Sequence, residues 1–247
     1  MKTSETKNKK VISRERKTKQ RKILTESTPF AVKEAYVQLR TNLMFSVASE
    51  TDGRGRVFMV TSANPSEGKS TTSSNIAVSF AMLGKKTLLI DCDMRKPNIH
   101  KLWGIPMTNG VSNLLTNIDV CCKNEIESLP LTVVSAGDVP PNPSELLSSS
   151  KFQRVIEKFR TSYDYVIIDT PPVNRVADAR IIAKNTDGIV LVVKSGQTQI
   201  NELNFAQQSF GEEAKKVCGF VLNSVNFKNG AYSYRQYGSK SYASYGE

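Results

Sequence analysis

The chain has 247 residues, 39% hydrophobic and 23% charged, which suits one large domain of ordinary soluble composition with length enough to bury a core. Its net charge of +11 is concentrated at one end: residues 1–22 hold ten Lys or Arg against Glu5 and Glu15, leaving about +3 for everything else. A near-neutral body argues against a nucleic-acid partner, no apolar run reaches the roughly 18–20 residues of a membrane span, and no signal-peptide core follows the basic start.

The basic segment has few apolar residues, so residues 1–28 are expected to form a disordered tail, either merely solubilising or suited to an anionic membrane surface. PFAVKEAYVQLRTNLMFSVAS at 29–49 then spaces Val32, Tyr36, Leu39, Leu43 and Val47 three and four apart, which predicts a helix with one apolar face. Beyond it, short apolar runs alternate with helical patterns. VFMVTS (57–62), TLLID (87–91), LTVVSA (131–136), YVIID (165–169), GIVLVV (188–193) and VCGFVLN (217–223) read as strands covered on both faces. Residues 71–83, 144–162, 176–185 and 199–213 read as helices, with Gly84 capping the first. This alternation predicts a three-layer α/β/α domain over 29–225 with a mainly parallel sheet. Residues 226–247 lose all periodicity and carry Tyr232, Tyr234, Tyr237, Tyr242 and Tyr245, five of the eight tyrosines. The cysteines Cys92, Cys121, Cys122 and Cys218 have no zinc-ligand spacing and read as reduced thiols.

Three segments carry the chemistry. ANPSEGKST (63–71), between a predicted strand and helix, has the Gly68-Lys69-Ser70 of a P-loop, with Ala63 where the first glycine usually stands. Its backbone N–H groups and the helix start would cradle phosphates, Lys69 would reach the β- and γ-phosphates, and Ser70 would ligate Mg²⁺. LLIDCDMRKP (88–97) ends a strand in Asp91 and Asp93, two residues apart and so able to face one side. YVIIDTPP (165–172) ends a second strand in Asp169, a further metal ligand at the same edge. His100, the single histidine, and Asp178 read as structural, the latter as a cap for the following helix.

With EAYVQLRTNL (34–43), TSANPSEGKST (61–71), LLIDCDMRKP (88–97), AGDVPPNPSELL (136–147), YVIIDTPPV (165–173) and the terminal tyrosines, the sequence resembles the bacterial tyrosine kinases of capsule and exopolysaccharide systems in their separate cytoplasmic form, over about 29–247. The resemblance implies an ATP-dependent protein-tyrosine autokinase with a P-loop NTPase fold. Glu67, Gly68, Lys69, Ser70 and Thr71 would bind nucleotide, and Asn223 would contact adenine. Asp91 would act as base or metal-side carboxylate, Asp93 and Asp169 would hold Mg²⁺, and the five tail tyrosines would be phosphoacceptors. It also implies activation by the cytoplasmic end of a transmembrane polysaccharide co-polymerase, placement at the inner membrane face through that partner, and a cognate tyrosine phosphatase. Ring assembly would use an E-x-x-R-x-x-R element, here Glu34 and Arg40 with Val37 replacing the middle arginine. The competing readings are a ParA/MinD-like switch ATPase, whose signature lysine is here Asn64, and a non-catalytic nucleotide-binding adaptor.

Overall fold

The computed structural model describes residues 23–47, 53–116 and 123–225. The N-terminal basic run, the Cys121–Cys122 pair and all five tail tyrosines lie outside the described residues. The elements, in chain order, are α1 (Phe30–Ser46), β1 (Arg56–Ser62), α2 (Lys69–Met82), β2 (Thr87–Asp91), α3 (Ile99–Trp103) and α4 (Val111–Thr116). There follow β3 (Asn124–Ile126), β4 (Leu131–Val134), α5 (Pro143–Ser148), α6 (Ser150–Arg160), β5 (Tyr165–Asp169), α7 (Asp178–Ala183), β6 (Gly188–Lys194), α8 (Ile200–Gln208) and β7 (Val217–Asn223).

The strands form one seven-stranded sheet in the order β3-β4-β2-β5-β1-β6-β7. All pairings are parallel except β3 with β4. Because strand side chains alternate, each apolar run feeds two cores. Val57, Met59, Leu88, Ile90, Val166 and Ile168 meet Phe152 and Ile156 of α6 on one face. Phe58, Val60, Leu89 and Ile167 meet Leu43 of α1 and Ile76 and Phe80 of α2 on the other. These are the three expected layers.

Four local departures have physical causes. The helix expected over 144–162 breaks at Ser149, whose extended backbone (φ −70°, ψ 150°) lets its hydroxyl accept the Phe152 N–H at 3.2 Å and start α6 afresh. The helix expected over 199–213 ends at Gln208, and Gly211, at φ +57°, leads into a tight 3₁₀ turn to Lys216. β3 adds an antiparallel edge strand of three residues, too short and too polar for a periodic signal. The packed chain also begins before Pro29: Leu24, grouped by the sequence with the basic tail, is buried, and its N–H donates to Asn75 Oδ1 at 2.8 Å.

Register fixes the functional edge. Asp91 of β2 lies beside Asp169 of β5, and Val60 of β1 pairs with Asp169 from the other side. With β7 parallel to β6, Asn223 ends at that same edge. Among the described residues no helix is long and apolar enough to cross a membrane.

Candidate active site

The loop leaving β1 turns back through two left-handed residues, Ser66 at φ +63° and Gly68 at φ +99°. Alternation of this kind aims successive N–H groups at one point and makes an anion-binding hollow. The first N–H groups of the 14-residue helix α2, which starts at Lys69, have no carbonyl a turn behind them and add the positive end of its dipole. Gly68 is obligatory on two counts. Its φ disfavours a side chain, and a Cβ there would stand 1.9 Å from Asn223 Nδ2.

A cavity of about 670 Å³ opens over this loop, ample for a nucleotide's phosphates. Gly68, Lys69, Ser70 and Thr71 form its floor, the β2 loop supplies Asp93, Arg95 and Lys96, and Pro171, Pro172 and Arg175 close the third side. Four cations thus face one wall carboxylate, which suits a polyanion.

The three expected acids sit together but have different roles. Asp91 is fully buried and absent from the cavity wall: Oδ1 accepts the Asp93 N–H, and Oδ2 accepts those of Asn98 and Ile99, each at 3.1 Å. It therefore ties down the loop that carries Asp93. Asp93 lies on the wall, with Oδ1 accepting the Lys96 N–H at 3.0 Å. Asp169 is fully buried, and among the described residues neither oxygen has a hydrogen-bond partner.

Burial lifts all three carboxyls. Asp169 is pushed up to about 7, eased downward by the nearby Ser70 hydroxyl and Lys69 and raised again by Asp93; Ser70 and Ser73 stand close without completing a hydrogen bond to it. Asp91 is raised well above the ordinary range by burial and by the charge of Asp169 beside it, against the pull of the Ile99 N–H. Asp93 is raised by burial, countered by the Lys96 N–H and Lys69. Among the described residues no three acidic, Cys or His side chains form a self-sufficient metal cage. Mg²⁺ seldom needs one, since it keeps water and shares substrate phosphates. An orphaned buried carboxylate next to a helix-start hydroxyl fits that kind of partial site.

Other expected residues are bound into the scaffold. The Glu67 carboxylate turns inward: Oε2 accepts the Asn64 N–H at 2.8 Å and Oε1 accepts the Thr198 hydroxyl. Asn223 stands over the P-loop, where Nδ2 donates to the Glu67 carbonyl at 2.9 Å and Oδ1 accepts the Ser224 N–H. Both therefore brace the loop, and the Asn223 amide spends one N–H and one oxygen lone pair here, keeping a second of each. Arg40 is half-buried and spends Nη1 on the Ser79 carbonyl at 2.7 Å, pinning α1 to α2, while Glu34 lies half-buried on the same helix. Asp178 is no simple cap: its buried carboxylate pairs with Arg95 of the cavity wall. Arg95, Arg175, Ser144 and Thr198 have no role in the sequence motifs above; Arg95 alone carries a signal there, two residues after Asp93 in LLIDCDMRKP.

Residues 56–204 match the family described as AAA domain. The putative tyrosine-protein kinase CapB of Staphylococcus aureus is 38% identical over 208 residues, covering 82% of this chain and 89% of that protein. The tyrosine-protein kinase YwqD of Bacillus subtilis strain 168 is 38% identical over 228 residues, covering 90% and 93%. Among solved structures, the kinase domain of the Escherichia coli tyrosine kinase ETK has a TM-score of 0.74 at 30% identity, with 85% of each chain covered.

Proposed function

The chain belongs to the bacterial tyrosine-kinase family, and on that footing we propose that it is an autokinase that transfers phosphoryl groups from ATP to its own tail tyrosines. The observation that carries this reading is the meeting at one sheet edge of the P-loop, the wall carboxylate Asp93 and the end of β7, from which the tail departs. From Asn223, nine residues to Tyr232 reach at most about 30 Å, and twenty-two to Tyr245 about 75 Å, so a tail tyrosine can enter its own cavity or a neighbour's.

Lys69 and the loop N–H groups hold the β- and γ-phosphates. Ser70 and Asp169, with Asp93 beside them, would hold Mg²⁺, whose contribution is to neutralise phosphate charge. The γ-phosphorus breaks its bond to the bridging oxygen, which leaves with ADP, and bonds to the phenolic oxygen. Asp93 receives the phenolic proton, since it alone of the three acids lies on the wall; Asp91 fixes the loop that presents it. Catalysis is then mainly positioning and electrostatics.

The same reading includes a capsule or exopolysaccharide role, activation by the cytoplasmic end of a transmembrane co-polymerase, a reversing tyrosine phosphatase and assembly into a ring. Phe30 and Phe45, 78% and 84% exposed on α1, supply apolar surface for such contacts. Two phosphotyrosines, each about −1.5 to −2, already reverse the tail's formal +2 and favour disassembly. The test is simultaneous: ADP release and phosphotyrosine should rise together in the wild type and vanish together in Lys69→Met. ADP release without phosphotyrosine supports a switch ATPase instead.

A further inference from the structure

Three segments far apart in the chain converge on one guanidinium. Arg95 Nε donates to Asp178 Oδ2 at 2.7 Å, and Nη2 donates to Asp178 Oδ1 at 3.1 Å and to Ser144 Oγ at 2.9 Å. The Ser144 hydroxyl donates in turn to Asp178 Oδ1 at 2.6 Å, closing the ring. Asp178 is fully buried at the start of α7, Ser144 is on α5, and Arg95 is on the cavity wall.

We infer that Asp178 and Ser144 are positioning residues that lock Arg95 in place as a fixed donor to the phosphoryl group in the cavity. An arginine has five N–H groups. Three are spent on this ring, and the two on Nη1 remain for a ligand. The other wall arginine shows what an unlocked side chain looks like: among the described residues the Arg175 side chain reaches only Asn64 Oδ1, at 3.4 Å. A buried ion pair is weak evidence of stabilisation, because desolvation offsets its attraction. Its value here is geometric. A guanidinium held before substrate arrives need not lose rotamer freedom or reorganise as charge shifts in the transition state. Such a donor acts mostly on kcat, and a lysine, which lacks the planar fork, cannot complete the ring.

This inference rests on the phosphoryl-transfer reading, and a double-mutant cycle tests the two separately. Full-length wild type, Asp178→Asn, Ser144→Ala, Arg95→Ala, Arg95→Lys and the two doubles with Arg95→Ala are compared with MgATP. ADP release, phosphotyrosine formation, ATP KM, ADP affinity and melting temperature are measured. Arg95→Ala should lower kcat about 100-fold, and Arg95→Lys should not restore it. Asp178→Asn should lower kcat about 30-fold and Ser144→Ala about 5-fold, with KM changed less than about 3-fold. In the Arg95→Ala background neither should cost anything more. Equal losses with and without Arg95, or losses that follow melting temperature and ADP affinity, overturn the positioning role. A wild type that releases ADP but forms no phosphotyrosine sinks the kinase reading alone, and the cycle is then read on ADP release.

Discussion

Replacing Asp169 by Asn should make the metal-free protein more stable at alkaline pH, although it removes a residue of the candidate site. The Asp169 carboxyl sits at about 7 in the fold, against an ordinary 3.8. Between those values the folded state binds a proton that the unfolded chain has released, so stability falls as pH rises from about 4 to about 7. At about 1.4 kcal/mol per tenfold change, the full effect by pH 8 is about 4 kcal/mol. Asn has the same shape and does not titrate. Urea unfolding in EDTA should therefore give the most similar stabilities near pH 4, where Asp169 is protonated in the fold and partly so in the unfolded chain, and a variant more stable by a few kcal/mol at pH 8. Asp91 remains and ionises more readily beside a neutral neighbour, which trims the difference. Mg²⁺ with ADP should stabilise the wild type more at pH 8 than at pH 6, and the variant much less. A wild type whose stability is flat from pH 5 to 8, or a variant weaker than wild type at pH 8 without metal, would refute the reasoning.

Gly68→Ala should cost about 2–3 kcal/mol, from a left-handed residue and the displaced Asn223–Glu67 bond, and nucleotide binding should fall with it; a melting curve and ADP titration check both. Thr198→Val leaves Glu67 Oε1 without its hydroxyl donor and should lower stability by about 1–3 kcal/mol while loosening the P-loop, seen as faster amide exchange over 64–68. Ser149→Ala removes the cap between α5 and α6 and should cost about 1 kcal/mol in urea unfolding without changing ADP affinity. Five phosphotyrosines would bring residues 226–247 to roughly −6 to −8; at low salt the phosphorylated protein should elute smaller than a form with all five changed to Phe, and equal sizes would end the disassembly idea.

Periodicity is enough to place β1, β2, β5 and β6 within a residue or two, because strands buried on both faces leave unbroken apolar runs. β7 is placed as well, but it is an edge strand with Phe220 and Leu222 half exposed, not the doubly covered strand its apolar run suggests. Periodicity could not find β3, whose Asn124 and Glu125 carry no such run, nor the break at Ser149, where one capping hydroxyl outweighs helix-favouring neighbours. The P-loop and the three aspartates were legible as motifs, since their spacing along the chain already puts them at one edge. The direction in which each side chain points was not. Asp91 turns its oxygens to backbone N–H groups two to eight residues on, set by how that loop folds back, and Glu67 faces Thr198, 131 positions away. The Arg95–Asp178–Ser144 ring joins residues 83 and 34 positions apart, beyond any local pattern.

The most direct test of the central claim maps phosphotyrosine by mass spectrometry after incubating the full-length protein with MgATP, with and without a co-polymerase cytoplasmic peptide. The account predicts phosphate on several of Tyr232, Tyr234, Tyr237, Tyr242 and Tyr245, and none on the Lys69→Met protein. Consumption of ATP with all five tyrosines unmodified under both conditions would contradict it.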